Sequence, residues 1–192
     1  MKYNYIAAAI VCTLTFSSCG DSNQDAKAKA TPIENEPSRH VEASQEIAQM
    51  TNEQLAEEIA QMTNEQLAVV ITALAMKGKT EALSKIVKAG ANPNIVKFEG
   101  MTPLICACAD GKVSCVKNLL EIGADVNARG DNGETALMAA SLFGRQECVK
   151  VLIQAGANVH ARSDGGKTAL EVAEARGELE CANLLRAAGA KD

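Results

Sequence analysis

The sequence predicts an all-α solenoid: stacked helix–turn–helix units with finger loops, about four repeats including a degenerate first one, preceded by extra short helices. Three observations carry that expectation. Gly78, Gly111, Gly144 and Gly177 recur every 33 residues, as do Gly90, Gly123, Gly156 and Gly189. Thr102, Thr135 and Thr168 keep the same period. Aromatics make up only 3% of the chain and Trp is absent, so the core has to be built from small aliphatic side chains. A single unit of this size cannot cover its own apolar faces and must stack on its neighbours.

The chain opens with "MKYNY", one Lys and no acid, followed by the apolar run Ile6 to Phe16 and then Ser17, Ser18 and Cys19. A positive start, a short apolar run and small residues at the junction read as a secretory signal over 1–18. The run is too short for a spanning helix, which needs about 20 residues. "TFSSCG" resembles a bacterial lipobox, with cleavage before Cys19 and a diacylglycerol thioether on its sulfur. Phe16 is bulkier than the Leu usual at its position. The resemblance implies attachment to the membrane through the lipid alone, in the bacterial envelope, on the periplasmic face or the cell surface. Removal of 1–18 takes Lys2 and leaves 18 basic against 24 acidic side chains, a net charge of −6. That charge argues against a nucleic-acid partner.

Residues 19–45 are polar, lack periodicity and contain two prolines. They read as a lipid-anchored flexible tether, with an r.m.s. span of roughly 25–30 Å. "EIAQMTNEQLA" then appears at 46–56 and again at 58–68. Twelve residues of continuous helix would turn the second copy by roughly 120° from the first. The apolar sets Ile47, Met50, Leu55 and Ile59, Met62, Leu67 would then face different ways. Each copy also holds "TNEQ", a Thr-x-x-Gln helix start. We therefore expect short helices broken near Thr51 and Thr63, the last reaching about Lys77, with 46–68 acting as an N-terminal cap.

From residue 69 the 33-residue unit takes over, with expected repeats at 69–96, 97–129, 130–162 and 163–192. "TPLICACADG" (102–111), "TALMAASLFG" (135–144) and "TALEVAEARG" (168–177) supply first helices. "VSCVKNLLEIGADVNA" (113–128), "QECVKVLIQAGANVHA" (146–161) and "LECANLLRAAGA" (179–190) supply second helices. "DNG" at 131–133 and "DGG" at 164–166 form turns in the fingers. These segments resemble the ankyrin repeat over about 69–192. Ala136 and Ala169 stand where the pattern has Pro, and Ile105, Met138 and Glu171 where it has His. Residues 70–94 match as a first repeat without the Thr-Pro-Leu start.

Cys115, Cys148 and Cys181 also lie 33 apart. The resemblance puts them at a core position of the second helix. Helices in neighbouring repeats pack about 10 Å apart, beyond the roughly 7 Å Cα limit for a disulfide, so the ladder reads as small hydrophobes. Cys106 and Cys108 are two apart and do not face each other on a helix. Pairing of Cys108 with Cys115 within one repeat stays open. No C-x-x-C spacing, metal-protease motif, P-loop, dinucleotide fingerprint or nucleophile elbow occurs, so no catalytic residue, cofactor or metal site is expected. His160 stands where the pattern has an Asn that bonds the next turn.

The resemblance implies a non-enzymatic protein–protein interaction module that binds through finger tips and the concave face of the first helices. Carried over by position, the contact residues are Phe98, Glu99, Met101, Ala109 and Asp110; Arg129, Asp131, Asn132, Glu134, Leu142 and Phe143; and Arg162, Asp164, Lys167, Ala175 and Arg176. Phe98 and Phe143 are the only aromatics after the signal, and aromatics and Arg are enriched in hot spots. The expected partner is an unidentified envelope or periplasmic protein, and the module is expected to be a monomer. Two rival readings are an immunity protein that neutralises one enzyme and a thiol-based redox or metal-handling periplasmic protein.

Overall fold

The computed structural model describes residues 51–95 and 100–191. The signal, Cys19, the tether, and both Phe98 and Glu99 lie outside the described residues. Among the described residues nine helices occur: α1 (Asn52–Gln61), α2 (Asn64–Met76), α3 (Thr80–Lys88), α4 (Pro103–Ala109), α5 (Val113–Glu121), α6 (Ala136–Leu142), α7 (Gln146–Gln154), α8 (Ala169–Arg176) and α9 (Leu179–Ala187). The expected all-α repeat architecture is what forms.

The duplicated segment breaks where its capping chemistry says it should. Gln54 N donates to Thr51 Oγ1 at 3.3 Å and Thr51 N donates back to Gln54 Oε1 at 3.1 Å. Thr63 and Gln66 repeat the exchange at 3.2 and 3.0 Å. Each box satisfies two amides that a helix start would otherwise leave unpaired. Met62 is extended and ends α1. Both copies bury the same leucine, Leu55 and Leu67, although a break at Met62 separates their helices. Helix α2 crosses the expected cap boundary at 68/69 and runs on to Met76. The first repeat has Val69 where the others have Thr102, Thr135 or Thr168, so its first helix starts six residues earlier, at the Thr63 cap.

Those three threonines cap α4, α6 and α8 by accepting from Ile105 N (3.2 Å), Met138 N (3.4 Å) and Glu171 N (3.2 Å). Pro103 sits in the first turn of α4, where its missing N–H costs nothing. Glu171 adds a second bond by accepting from Thr168 N at 2.7 Å. That bond, with Arg162 nearby, holds its carboxyl below the usual range. Each first helix then ends in a tight turn. In the turn after α4, Gly111 N donates to Cys108 O and Lys112 N to Ala107 O, at 3.1 and 2.9 Å. Gly111 takes φ +68°, a conformation that penalises any Cβ.

The helices form two layers. Helices α2, α4, α6 and α8 pack in sequence as the first-helix layer, and α1, α3, α5, α7 and α9 as the second. Helix α1 thus covers the end of the second layer by packing on α3. The core repeats in columns: Ile71, Leu104, Leu137 and Leu170 in one layer, Ile86, Leu119, Leu152 and Leu185 in the other, each at most 2% exposed. Burying each such side chain contributes roughly 1.5–3 kcal/mol.

Polar bonds at the finger bases join consecutive repeats. Asn94 accepts from Asp125 N at 2.7 Å and donates to Gly123 O at 3.3 Å. One repeat on, Asn127 accepts from Asn158 N at 2.8 Å and donates to Gly156 O at 3.5 Å. His160 is next in the column, and no matching pair reaches Gly189 or Lys191 among the described residues. The fingers also meet backbone to backbone. Asp131 N donates to Gly100 O at 2.7 Å and Asp164 N to Asn132 O at 3.0 Å. Gly130 permits the first of these: a Cβ there would lie 2.5 Å from Gly100 O.

Candidate functional site

The 33-residue period puts equivalent residues of the first-helix ends in a row along the stack. One row is Lys77, Asp110, Phe143 and Arg176, and beside it runs Met76, Ala109, Leu142 and Ala175. Phe143 caps α6 and is 50% exposed. It is the one aromatic among the described residues. Its core-facing neighbours on α6 are already filled by Leu137, Met138 and Ala140, so the ring stands outside the packed layers. Asp110 and Arg176, one repeat to either side, are exposed, and Leu142 is partly buried. Met76 at the end of α2 adds a second exposed apolar side chain at 38%. The row therefore presents an apolar centre flanked by opposite charges. Met101 packs partly against the core.

The finger residues divide into two groups. Arg129 donates to Arg162 O at 2.8 Å and to Asp164 Oδ1 at 3.1 Å, bridging two fingers. Arg162 donates to Gly166 O at 2.7 Å and lies 3.5 Å from Glu171. These two arginines and Asp164 hold the fingers in register. The Arg129–Asp164 pair is exposed on both sides, so its net contribution is small. The side chains of Asn132, Glu134 and Lys167 are exposed to solvent. Asp131 is also exposed, and its side chain covers Gly100.

The five cysteines of the repeats are buried thiols, not disulfides. Cys115, Cys148 and Cys181 share one column with Ala82, each at most 4% exposed. That column takes small apolar side chains, as expected. Burial pushes the Cys115 thiol up to about 11. Burial also raises Cys181, with Glu178 and Glu180 adding to it. Among the described residues no group of three or more His, Cys, Asp or Glu side chains is placed to hold a metal ion. Cys148 of the next repeat, together with burial, raises the Cys108 thiol well above its usual range.

A family model described as ankyrin repeats, three copies, matches residues 71–163 and again 130–192. The chain belongs to the ankyrin-repeat family. Ankyrin-repeat proteins are generally non-enzymatic interaction modules, and the fold here is that of an interaction module. The match begins at Ile71, inside α2, so the first ankyrin unit includes the degenerate repeat, whose first helix is capped by Thr63 ahead of the match. No curated protein matches the chain. No helix among the described residues is long and apolar enough to cross a membrane.

Proposed function

We propose that this ankyrin-repeat chain is a non-enzymatic binding module, tethered to the bacterial envelope through a lipid on Cys19, that grips another envelope protein with its first-helix ends and fingers. The observation that carries the reading is Phe143. An aromatic side chain half exposed between an acid and a base, on a rigid scaffold, has the make-up of a hot-spot centre. Asp110, Asn132, Glu134, Lys167 and Arg176 form the polar rim around it, while Arg129, Arg162 and Asp164 keep the fingers rigid. Lipidation of Cys19 and the envelope location rest on the lipobox resemblance, and the tether gives the module reach. The immunity-protein reading uses the same face and differs only in what the partner does.

The test is a cross-linked pull-down from intact cells with the full-length protein, run beside Phe143→Ala and Phe98→Ala/Phe143→Ala at matched expression. Truncating an exposed ring leaves stability within about 0.5 kcal/mol, so lost capture reports binding. The expected result is one specific envelope protein, retained by the wild type and lost with Phe143. Retention of the same partner by both variants would move the site off this row. Retention of the full-length protein in the soluble fraction, without lipid on Cys19, would remove the tether.

A further inference from the structure

On the reading that the Phe143 row is a binding face, we infer that the turns joining first to second helices form a basic edge that receives an extended acidic segment of a partner protein. Two neighbouring rows make up this edge. Lys77, Asp110, Phe143 and Arg176 stand at the ends of the first helices. Lys79, Lys112, Arg145 and Glu178 cap the starts of the second helices. The two rows hold five basic side chains against two acidic ones, in a chain whose net charge is −5. The caps also reach back along the stack. Lys112 lies over Gly78, with its Cδ 3.8 Å from where a Cβ on that glycine would stand. Arg145 lies over Gly111, and its Nε donates to Ala109 O at 2.9 Å. Lys112 is thereby laid over the turn that Lys77 and Lys79 flank, and Arg145 over the turn that Asp110 and Lys112 flank. Three lysines and one arginine gather over two consecutive turns, with Asp110 the one acid of the two rows among them.

Stability does not call for this arrangement. The start of a helix carries partial positive charge and is best capped by Ser, Thr, Asp or Asn. Lys79 and Lys112 instead stand at the starts of α3 and α5, exposed and with no side-chain bond to the helix start. Arg145 at least ties its repeat to Ala109 O. In α9 the same position is Glu178, whose sign suits the dipole. Like charges set this close on a surface repel, and a carboxylate brought between them reverses that cost. Neighbouring repeats stand about 10 Å apart, and three residues of extended chain span about the same distance. Acids at such intervals on a strand-like segment therefore meet one turn after another. Met76 beside Lys77 and Phe143 beside Arg145 are both exposed and give that segment an apolar contact at each end of the basic stretch. The charge lies in a line two side chains wide with Asp110 inside it, a shape that suits a single chain better than the plane of an anionic bilayer.

The probes are a fluorescent peptide of repeated Glu-Glu-Ser, its Lys-Lys-Ser counterpart, and vesicles of phosphatidylglycerol in phosphatidylcholine. Each is titrated with the purified full chain and with Lys79→Glu/Lys112→Glu. The helix dipole favours Glu at a helix start, so this variant is expected to melt no lower than the wild type. Lys79→Ala/Lys112→Ala removes the charges without reversing them and serves as the second variant. The acidic peptide is expected to bind and the basic one not to. Charge reversal weakens binding by about tenfold and the alanine pair by about threefold. Lys88→Glu/Lys191→Glu makes the same change in net charge away from the edge and shifts binding by less than about twofold. No binding of the acidic peptide, equal weakening by both charge-reversed pairs, or vesicle binding that depends on Lys79 and Lys112 with none to the peptide would each overturn the proposal. In the pull-down from cells, the partner is expected to be lost in both Phe143→Ala and Lys79→Glu/Lys112→Glu. Loss in Phe143→Ala alone removes the acidic partner and leaves the Phe143 face, whereas retention in both removes the face itself.

Discussion

Replacing His160 by Asn completes a ladder that stops one rung short. Asn94 and Asn127 each tie their own repeat to the next through one short bond, 2.7 or 2.8 Å from a backbone amide, and one long bond of 3.3 or 3.5 Å to a glycine carbonyl. The receiving backbone is present for a third rung. Gly123, Gly156 and Gly189 take φ of +95°, +87° and +95°, so the carbonyl and amide that follow the last helix are presented alike. Both bonds of a rung are solvent-exposed, and the long one is weak. A net gain of about 0.5–1 kcal/mol for the pair follows. In urea unfolding followed by helical circular dichroism, the midpoint of His160→Asn is expected to rise by about 0.4 M with an unchanged slope near 2 kcal/mol/M. Amide exchange in α8 and α9 is expected to slow about two- to fivefold. The reverse change, Asn127→His, is expected to cost as much. If Asn127→His leaves the midpoint in place, the rungs contribute nothing and the reasoning fails, whatever His160→Asn does.

Two further substitutions test the packing argument. Thr72 is 1% exposed and its hydroxyl has no hydrogen-bond partner, whereas its repeat equivalents Ile105 and Met138 are apolar; Thr72→Val is expected to raise stability by about 1 kcal/mol in the same urea assay, while Thr135→Val, which removes a helix cap, loses about 1 kcal/mol. Gly130→Ala would place a methyl 2.5 Å from Gly100 O, a backbone atom that cannot rotate away; a loss of about 2 kcal/mol is expected, with thermal melting as the readout.

The sequence made the solenoid legible because the 33-residue period repeats both caps and core. Thr102, Thr135 and Thr168 mark helix starts, and the leucine columns follow at fixed offsets. The break at Thr63 was legible too, because a capping box is local chemistry between residues three apart. The helix through 68/69 was legible as well, since the last short helix was expected to reach about Lys77 and α2 ends at Met76. The roles of Arg129 and Arg162 were half legible. Position put them on the fingers, but only the folded fingers showed that Arg129 reaches across to Arg162 O and Asp164 while Arg162 bonds Gly166 O within its own finger. Phe143 was read correctly as lying outside the core columns, while Phe98 and Glu99 fall outside the described residues.

The twelve-residue duplication has a consequence for how this chain changes length over generations. Each copy carries a complete start signal and a buried leucine, and the twelve residues from Thr51 to Met62 hold one helix with its start and its end. Losing or gaining one copy by slippage during replication therefore removes or adds a whole helix ahead of α2. The threonine cap of α2 is rebuilt from the surviving copy and the repeats stay in register, although losing a copy removes the helix that covers α3. A repeat of any length out of step with the helix ends would shift the apolar face of α2 and undo the stack. This stretch is a place where the gene can miscount and the protein still folds.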